Sequence, residues 1–482
     1  MSNQLAKVGA TAFLVIVVVA TAITLTNYPG RPSVYLLFSL LLNALLVLGF
    51  TPTSIFFDTY MGVFLWLGFW LKLTVRVGFM DGHFNQAVGD FDYSAGEFDH
   101  ALLVTCCGVL GLLAARVVRQ RFMFDYRVPM RATSLSGLKS FYGRYRVSAW
   151  LTFSVLVILV SVSNFYFGIY QRGSVPRTYP PFGIGGVYTW LLLFGLASIS
   201  ATMVKFELEL RQRIAFAIVI ACLLETFLSN VSMLSRGMLL NAGALMFGTY
   251  VCFKASRLKL DRRTVLGSMA LFICLFVLSV WLVTYLRANQ FYLMTDAEYA
   301  EWKKSEAQRI AWVSMGGSRV PYIDRWVGME GVMSVASYPK RGWDLWDSAW
   351  AEDFSNRGTS FYDAEIAHSA YTKIDLSNRH FISMPGVLAF AYYPDSYLLL
   401  IFLMFLVGVG SAGIEFAAYR FDGGNLIFCS LIALVVASRW AHFGYAPKNS
   451  HALFGAIALT MVLIYVAEKL LTRFVGSLRA GP

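Results

Sequence analysis

Apolar stretches of roughly twenty residues, divided by short polar or basic stretches, fill residues 1–286 and 395–482 of the chain. A helix crossing a hydrocarbon layer about 30 Å thick needs about 20 mainly apolar residues, since each adds about 1.5 Å. Twelve segments meet that requirement, near 8–27, 33–50, 56–77, 99–117, 147–168, 186–204, 214–233, 237–254, 265–286, 395–417, 426–446 and 451–471. The third is the most polar, with Asp58, Lys72 and Arg76 close to its ends. In the first, Lys7 precedes the apolar run as it would in a signal peptide. The run is long and no small-residue cleavage site follows, so it reads as an uncleaved anchor.

Lysine and arginine set the expected orientation, because cytoplasmic loops carry the positive excess. The loop after the fourth segment holds Arg116, Arg119, Arg121, Arg127, Arg131, Lys139, Arg144 and Arg146 against Asp125, and residues 254–263 hold Lys254, Arg257, Lys259, Arg262 and Arg263. Both belong inside. Twelve spans then place the 205–213 loop and Lys469, Arg473 and Arg479 on the same side, with both termini cytoplasmic. Dropping one span would put a strongly basic loop outside, which is the reason to keep the third helix.

The same parity puts residues 287–394 outside as one large loop domain, between nine helices over 1–286 and three helices plus a cytoplasmic tail over 395–482. Thr295 and Glu298 form a capping box ahead of Tyr299, Trp302 and Ile310, and a second helix is expected through Phe361 to Tyr371. Six tryptophans lie here: Trp302, Trp312, Trp326, Trp343, Trp346 and Trp350. They suit a packed cap with an interfacial aromatic belt, or a surface on which sugar rings stack, and one does not exclude the other. Trp326, Trp343 and Trp346 are the glycan-binding candidates. Residues 384–393 are apolar but too short to span, which predicts a re-entrant or interfacial helix. The expected fold is therefore an all-α polytopic integral membrane protein with about 12 transmembrane helices and one large helical periplasmic loop.

Composition agrees. With 57% hydrophobic and 14% charged residues, against about 25% charged in ordinary globular chains, a water-soluble enzyme core and a disordered chain are both excluded. A net charge of +12 would suggest nucleic acid in a soluble protein; here it follows from the basic cytoplasmic loops, and no nucleic acid partner is expected. The six cysteines, Cys106, Cys107, Cys222, Cys252, Cys274 and Cys429, all fall in apolar runs and read as small hydrophobes. No GxxxxGK[ST], HExxH, GxSxG or CxxC pattern occurs, so nucleotide hydrolysis, zinc proteolysis and thiol redox have no support. Asp81, His83, Asp90 and Asp92 match no metal-ligand spacing. No metal and no cofactor is expected.

What remains is positive charge at the outer ends of helices, against the topology bias. Arg236 lies in a Ser-Arg-Gly turn between the seventh and eighth segments, Arg287 closes the ninth, and Arg439 and His442 share one face of the eleventh. Lys72 and Arg76 close the third; Arg172, Arg177, Arg319 and Arg325 come from outer loops. An anionic ligand is the simplest cause, because the arginine fork matches phosphate oxygens and keeps its charge when buried. Arg439 stands out, since a charge within a span is costly. Glu225, midway along the seventh segment, is expected to pair with a neighbouring cation; alone it would suggest a proton relay. Glu330 and His368 offer general-base groups in the large loop, alongside His442.

Four features resemble the bacterial oligosaccharide repeat unit polymerases, the Wzy-type O-antigen and exopolysaccharide polymerases related to O-antigen ligases. These are the dozen spans, the large external loop before the last of them, the S-R-G turn opening a helix (SMLSRGMLLNAG, 232–243) and the arginine closing the next outer helix end (VTYLRANQF, 284–292). The resemblance implies a metal-free, GT-C-like glycosyltransferase of the bacterial inner membrane, acting at the periplasmic face on undecaprenyl-pyrophosphate-linked oligosaccharides. Its partners would be that lipid-linked substrate, the bilayer and a chain-length regulator. On this analogy Arg236 and Arg287 face the lipid pyrophosphate; their place at the outer face, and not the analogy, adds Arg439 and Arg325 as candidates. His442, His368 and Glu330 are the catalytic candidates, with the base not singled out. Two other classes stay open. An O-antigen ligase-type transferase discharges the same pyrophosphate, and a flippase or other transporter often has twelve spans and cytoplasmic termini. Against a transporter, the two halves show no repeat and no pair of broken helices.

Overall fold

The computed structural model describes residues 2–84, 86–122, 132–235, 239–256, 261–291, 326–353, 359–369 and 382–479. Among these residues all regular structure is helical. The helices of the membrane domain are α1 (Ser2–Asn27), α2 (Pro32–Gly49), α3 (Phe56–Phe79), α4 (Ala95–Phe122), α5 (Ser136–Phe167), α6 (Ile184–Arg211), α7 (Phe216–Ser232), α8 (Leu239–Ala255) and α9 (Arg262–Phe291). Among the described residues three short α-helices follow, α10 (Met329–Ser337), α11 (Trp343–Ala351) and α12 (Val387–Ala391), then α13 (Tyr397–Phe421), α14 (Leu426–Ala441) and α15 (Ser450–Arg479). Each of the twelve predicted apolar segments falls on one of these helices. Among the described residues eight stretches are long and apolar enough to cross a membrane, and Thr11–Asn27, Phe216–Ser232 and Leu426–Ala441 are shorter apolar helices. The chain is a polytopic helical membrane protein.

The packing follows from what each helix exposes. On α5, Leu151, Val155, Ile158, Leu159 and Val162 are exposed, and on α9 so are Leu266, Met269, Ile273, Val277 and Trp281. Such continuous apolar faces suit lipid. By contrast α14 is buried at nearly every position from Ile427 to Ala437, as expected of a helix that is apolar all round and sits at the centre. It packs against α3, α6, α8 and α13. Glycines permit the close approaches: a Cβ on Gly248 of α8 would meet Ile427 Cα at 2.8 Å, and one on Gly111 of α4 would meet the Ile401 carbonyl at 2.4 Å.

Distant acids cap two of these helices. Both carboxylate oxygens of Glu415 on α13 accept from the Phe56 and Phe57 amides at 2.9 Å, and Glu468 on α15 does the same for Gly137 and Leu138 of α5. Each satisfies orphan N–H groups and places negative charge at the positive end of a helix. The polar third helix is explained likewise. Asp58 Oδ2 accepts from Arg116 at 2.9 Å and from Arg119 at 2.6 Å. These two arginines, counted from sequence as loop charge, are buried on α4.

Near its middle α3 makes a π turn, Trp66–Leu71, and there meets the segment leading into α10. A Cβ on Gly68 would lie 2.1 Å from the Val327 carbonyl, and one on Gly328 would lie 2.2 Å from the Gly68 carbonyl. The described part of the 287–394 region is thus seated on the bundle: α10 contacts α4 and α12, and both short helices are buried almost throughout. The short helix expected within 384–393 is α12. Of the helix expected through Phe361 to Tyr371, the described residues form only a π turn, Tyr362–Ile366, which stops as His368 turns left-handed at φ 51°. The Thr295–Glu298 capping box, Trp302 and Trp312 lie outside the described residues. Because backbone blocks the space beside Gly68, Gly68→Ala should lower stability by about 1–3 kcal/mol. Gly186→Ala, with nothing within 4 Å, should stay within about 0.5 kcal/mol of the parent. Thermal unfolding in detergent compares the two.

Candidate functional site

Helices α8 and α14 run antiparallel in a register that two contacts define. Gly248 packs on Ile427, and Ser430 Oγ donates to the Ala244 carbonyl at 2.8 Å. Continued toward the face that bears the 287–394 region, this register brings the start of α8 at Leu239 level with Val435 and Val436 of α14, one turn before Arg439. His442 caps the end of that helix.

Arg439 is half-buried and donates from Nε and Nη2 to one hydroxyl, Ser450 Oγ, at 3.0 and 2.7 Å. Its guanidinium carbon lies 5.4 Å from the centre of the Phe443 ring. Among the described residues it forms no ion pair with a carboxylate. A hydroxyl and a ring face stabilise a cation only weakly, so the arrangement suits an anion supplied from outside the protein. His442 Nδ1 lies 2.8 Å from the Ser438 carbonyl. A carbonyl only accepts, so Nδ1 carries a proton, and in the neutral ring Nε2 is the acceptor. Phe64 of α3 packs edge-on against this ring at 6.3 Å.

The connection from α14 to α15 is held in place by the loop region. Glu352 accepts from the Phe361 amide through Oε1 at 2.6 Å and from the Ala446 amide through Oε2 at 3.0 Å. Burial pushes this carboxyl above the usual range, while the two amides oppose the shift. Phe443 packs against Phe390, Trp350 and Trp440, with centroids 5.0 to 6.1 Å apart. Ser450, the hydroxyl that orients Arg439, therefore follows a connection anchored on both sides.

Arg287 acts at a second point of the same face. Its Nε donates to the Leu234 carbonyl at 2.8 Å and its Nη2 to the Arg172 carbonyl at 2.9 Å, while the Arg172 amide donates to the Met233 carbonyl at 2.9 Å. One guanidinium thus ties the end of α9 to the turn after α7 and to the 169–177 loop. Arg236 is two residues beyond Leu234 in sequence; it and Arg325 lie outside the described residues.

The remaining predicted groups take other positions. Glu330, a base candidate from sequence, is 2% exposed, and each of its carboxylate oxygens accepts from Lys72, itself 0% exposed, at 2.8 Å. Lys72 also donates to the Trp326 carbonyl. The pair is enclosed, and Lys72 is no outward-facing cation. His368 is exposed, with Nε2 3.6 Å from Asp90 Oδ1. Trp346 packs on Phe390 at 5.0 Å and Trp326 on Phe64 at 6.1 Å, as a packed cap requires, whereas Trp343 is 61% exposed. Ser450 and Phe64 were not expected from sequence, because no spacing rule links them to Arg439 or His442. Among the described residues no group of three or more metal-ligating side chains gathers. Compared with protein-family models, with curated proteins and with solved structures, the chain matches none.

Proposed function

We propose that the chain is an inner-membrane polysaccharide polymerase with twelve spans, both termini in the cytoplasm and the 287–394 region in the periplasm. It would join oligosaccharide repeat units carried on undecaprenyl pyrophosphate. The observation that carries this reading is Arg439, a half-buried cation whose described polar partner is one hydroxyl, with His442 one turn along the chain. A sugar on a lipid pyrophosphate has an activated anomeric carbon, so catalysis consists of positioning an acceptor hydroxyl and stabilising charge on the departing pyrophosphate. Arg439 and Arg236 serve the second task, with Arg287 fixing the turn that leads to Arg236. His442 Nε2 orients or deprotonates the acceptor hydroxyl, which attacks the anomeric carbon as the C–O bond to pyrophosphate breaks, with inversion. The exposed Trp343 offers a stacking face for glycan. No metal takes part in this scheme, and a chain-length regulator would act as a separate partner.

An Arg236→Ala variant inserted at the parental level should make no long polymer in cells; full-length polymer from that variant would sink the assignment. A transporter reading is favoured by a different residue, Glu225, a carboxyl buried in mid-helix. Movement of lipid-linked oligosaccharide across vesicles without any lengthening would support it. An O-antigen ligase-type transferase would instead discharge the same lipid onto a different acceptor.

A further inference from the structure

Glu225 lies in the middle of α7 and is 2% exposed. Its Oε1 accepts from Ser229 Oγ at 3.2 Å, and its Oε2 is buried without a hydrogen-bond partner. The cation expected from sequence is not found among the described residues. Helices α5, α6, α8 and α9 pack against α7 and carry their charges toward their ends: Arg146, Lys205, Glu207, Lys254, Arg263 and Arg287. Several of these are already engaged. Arg146 pairs with Glu207, Lys205 donates to the Asp422 and Gly423 carbonyls, and Arg287 holds backbone carbonyls. The titratable neighbour of Glu225 is the Cys222 thiol, which lies beside Ser200 of α6. An ionised carboxylate buried without a cation is far costlier than one that has taken up a proton, so this site holds the neutral acid.

Polar groups lead to it from the loop-bearing face. Asn164 Nδ2 donates to the Ser232 and Tyr170 carbonyls, both at 3.0 Å, which sets the ends of α5 and α7 side by side. One turn deeper on each helix come Ser161 and Ser229, and one turn deeper again on α7 comes Glu225. Gln171 adjoins Tyr170 at the mouth. Gln171 Nε2, Ser161 Oγ, Ser200 Oγ and Glu225 Oε2 are all buried and all lack a hydrogen-bond partner. Buried polar atoms are seldom left unsatisfied, and a succession of them at stepped depths is what buried water satisfies. We propose that Glu225 is a proton-binding site within the membrane domain. It exchanges protons with the loop-bearing face along a file of water molecules lined by Gln171, Asn164, Ser161 and Ser229.

Infrared spectroscopy of the purified full-length protein tests this directly. The expected result is a protonated-carboxyl C=O band that Glu225→Gln removes and that shifts promptly when the protein is moved into D2O. Ser161→Val, which fills the file without touching Glu225, should keep the band and slow its shift severalfold. If Glu225→Gln does not fold, Glu225→Asp serves instead and should displace the band. Three results would overturn the proposal: an acid band unaltered by either Glu225 variant, a band that holds its position in D2O for days, or wild-type exchange in Ser161→Val.

Discussion

Replacing Arg439 with alanine should lower the initial rate of polymer synthesis by about 10²-fold or more, the loss typical of removing one preorganised donor from a developing anion. The same change should leave the fold nearly untouched. No carboxylate among the described residues relies on this guanidinium; its donors meet one hydroxyl, Ser450 Oγ. The stability change is therefore expected within about 1 kcal/mol, as for a site where no buried partner is orphaned. Lysine at this position keeps the charge but loses the planar fork and its fit to two phosphate oxygens, so Arg439→Lys should recover only part of the rate. Rates on lipid-linked substrate and thermal midpoints, measured on the same preparations, separate the roles. A structural arginine would show the opposite pattern, a lower midpoint with the rate per folded molecule preserved.

Lys72→Met should have the largest effect on stability. It takes the Lys72 cation away from the Glu330 carboxylate, 2% exposed, and breaking a buried pair in this way costs about 3–5 kcal/mol. The double variant Lys72→Met with Glu330→Met removes both charges and replaces them with apolar groups of similar volume, so most of the lost stability should return. Its activity carries separate information. If Glu330 serves only to seat α10 on α3, the double variant polymerises at close to the parental rate. If Glu330 is the general base that its sequence context allowed, that variant is folded and inactive. The enclosure of both its oxygens by Lys72 at 2.8 Å leads us to expect activity.

These two sites differ in how far sequence could reach them. Arg439 was conspicuous in sequence because a charge within an apolar run stands out, whereas the helical face it was expected to share with His442 ends first, since α14 stops at Ala441 and His442 is its cap. The polytopic helical architecture was legible because apolar length is a local property; among the described residues eight helices are long and apolar enough to cross a membrane. Lys72 and Glu330 were not legible as a pair, because 258 positions separate them in the chain, and each alone reads as a membrane-edge or solvated charge. Glu415 capping the start of α3 across 359 positions is equally invisible to local pattern. The basic loop count also overreached. Arg116 and Arg119 enter the bundle to meet Asp58, which only the ion pairs between α4 and α3 reveal. At Glu225 the failure ran the other way: sequence predicts a compensating cation, and the described structure supplies hydroxyls and a thiol instead.

The most direct measurement is a reconstitution of the purified chain in nanodiscs with oligosaccharide linked to undecaprenyl pyrophosphate. The reaction is run without nucleotide or added metal and resolved on a gel. An enzyme that discharges lipid pyrophosphate through Arg236 and Arg439 builds a ladder at repeat-unit spacing, and the ladder disappears in Arg236→Ala and Arg439→Ala. Lipid-linked material that stays bound and unextended in the parental protein, or a ladder undiminished in both variants, would contradict the assignment.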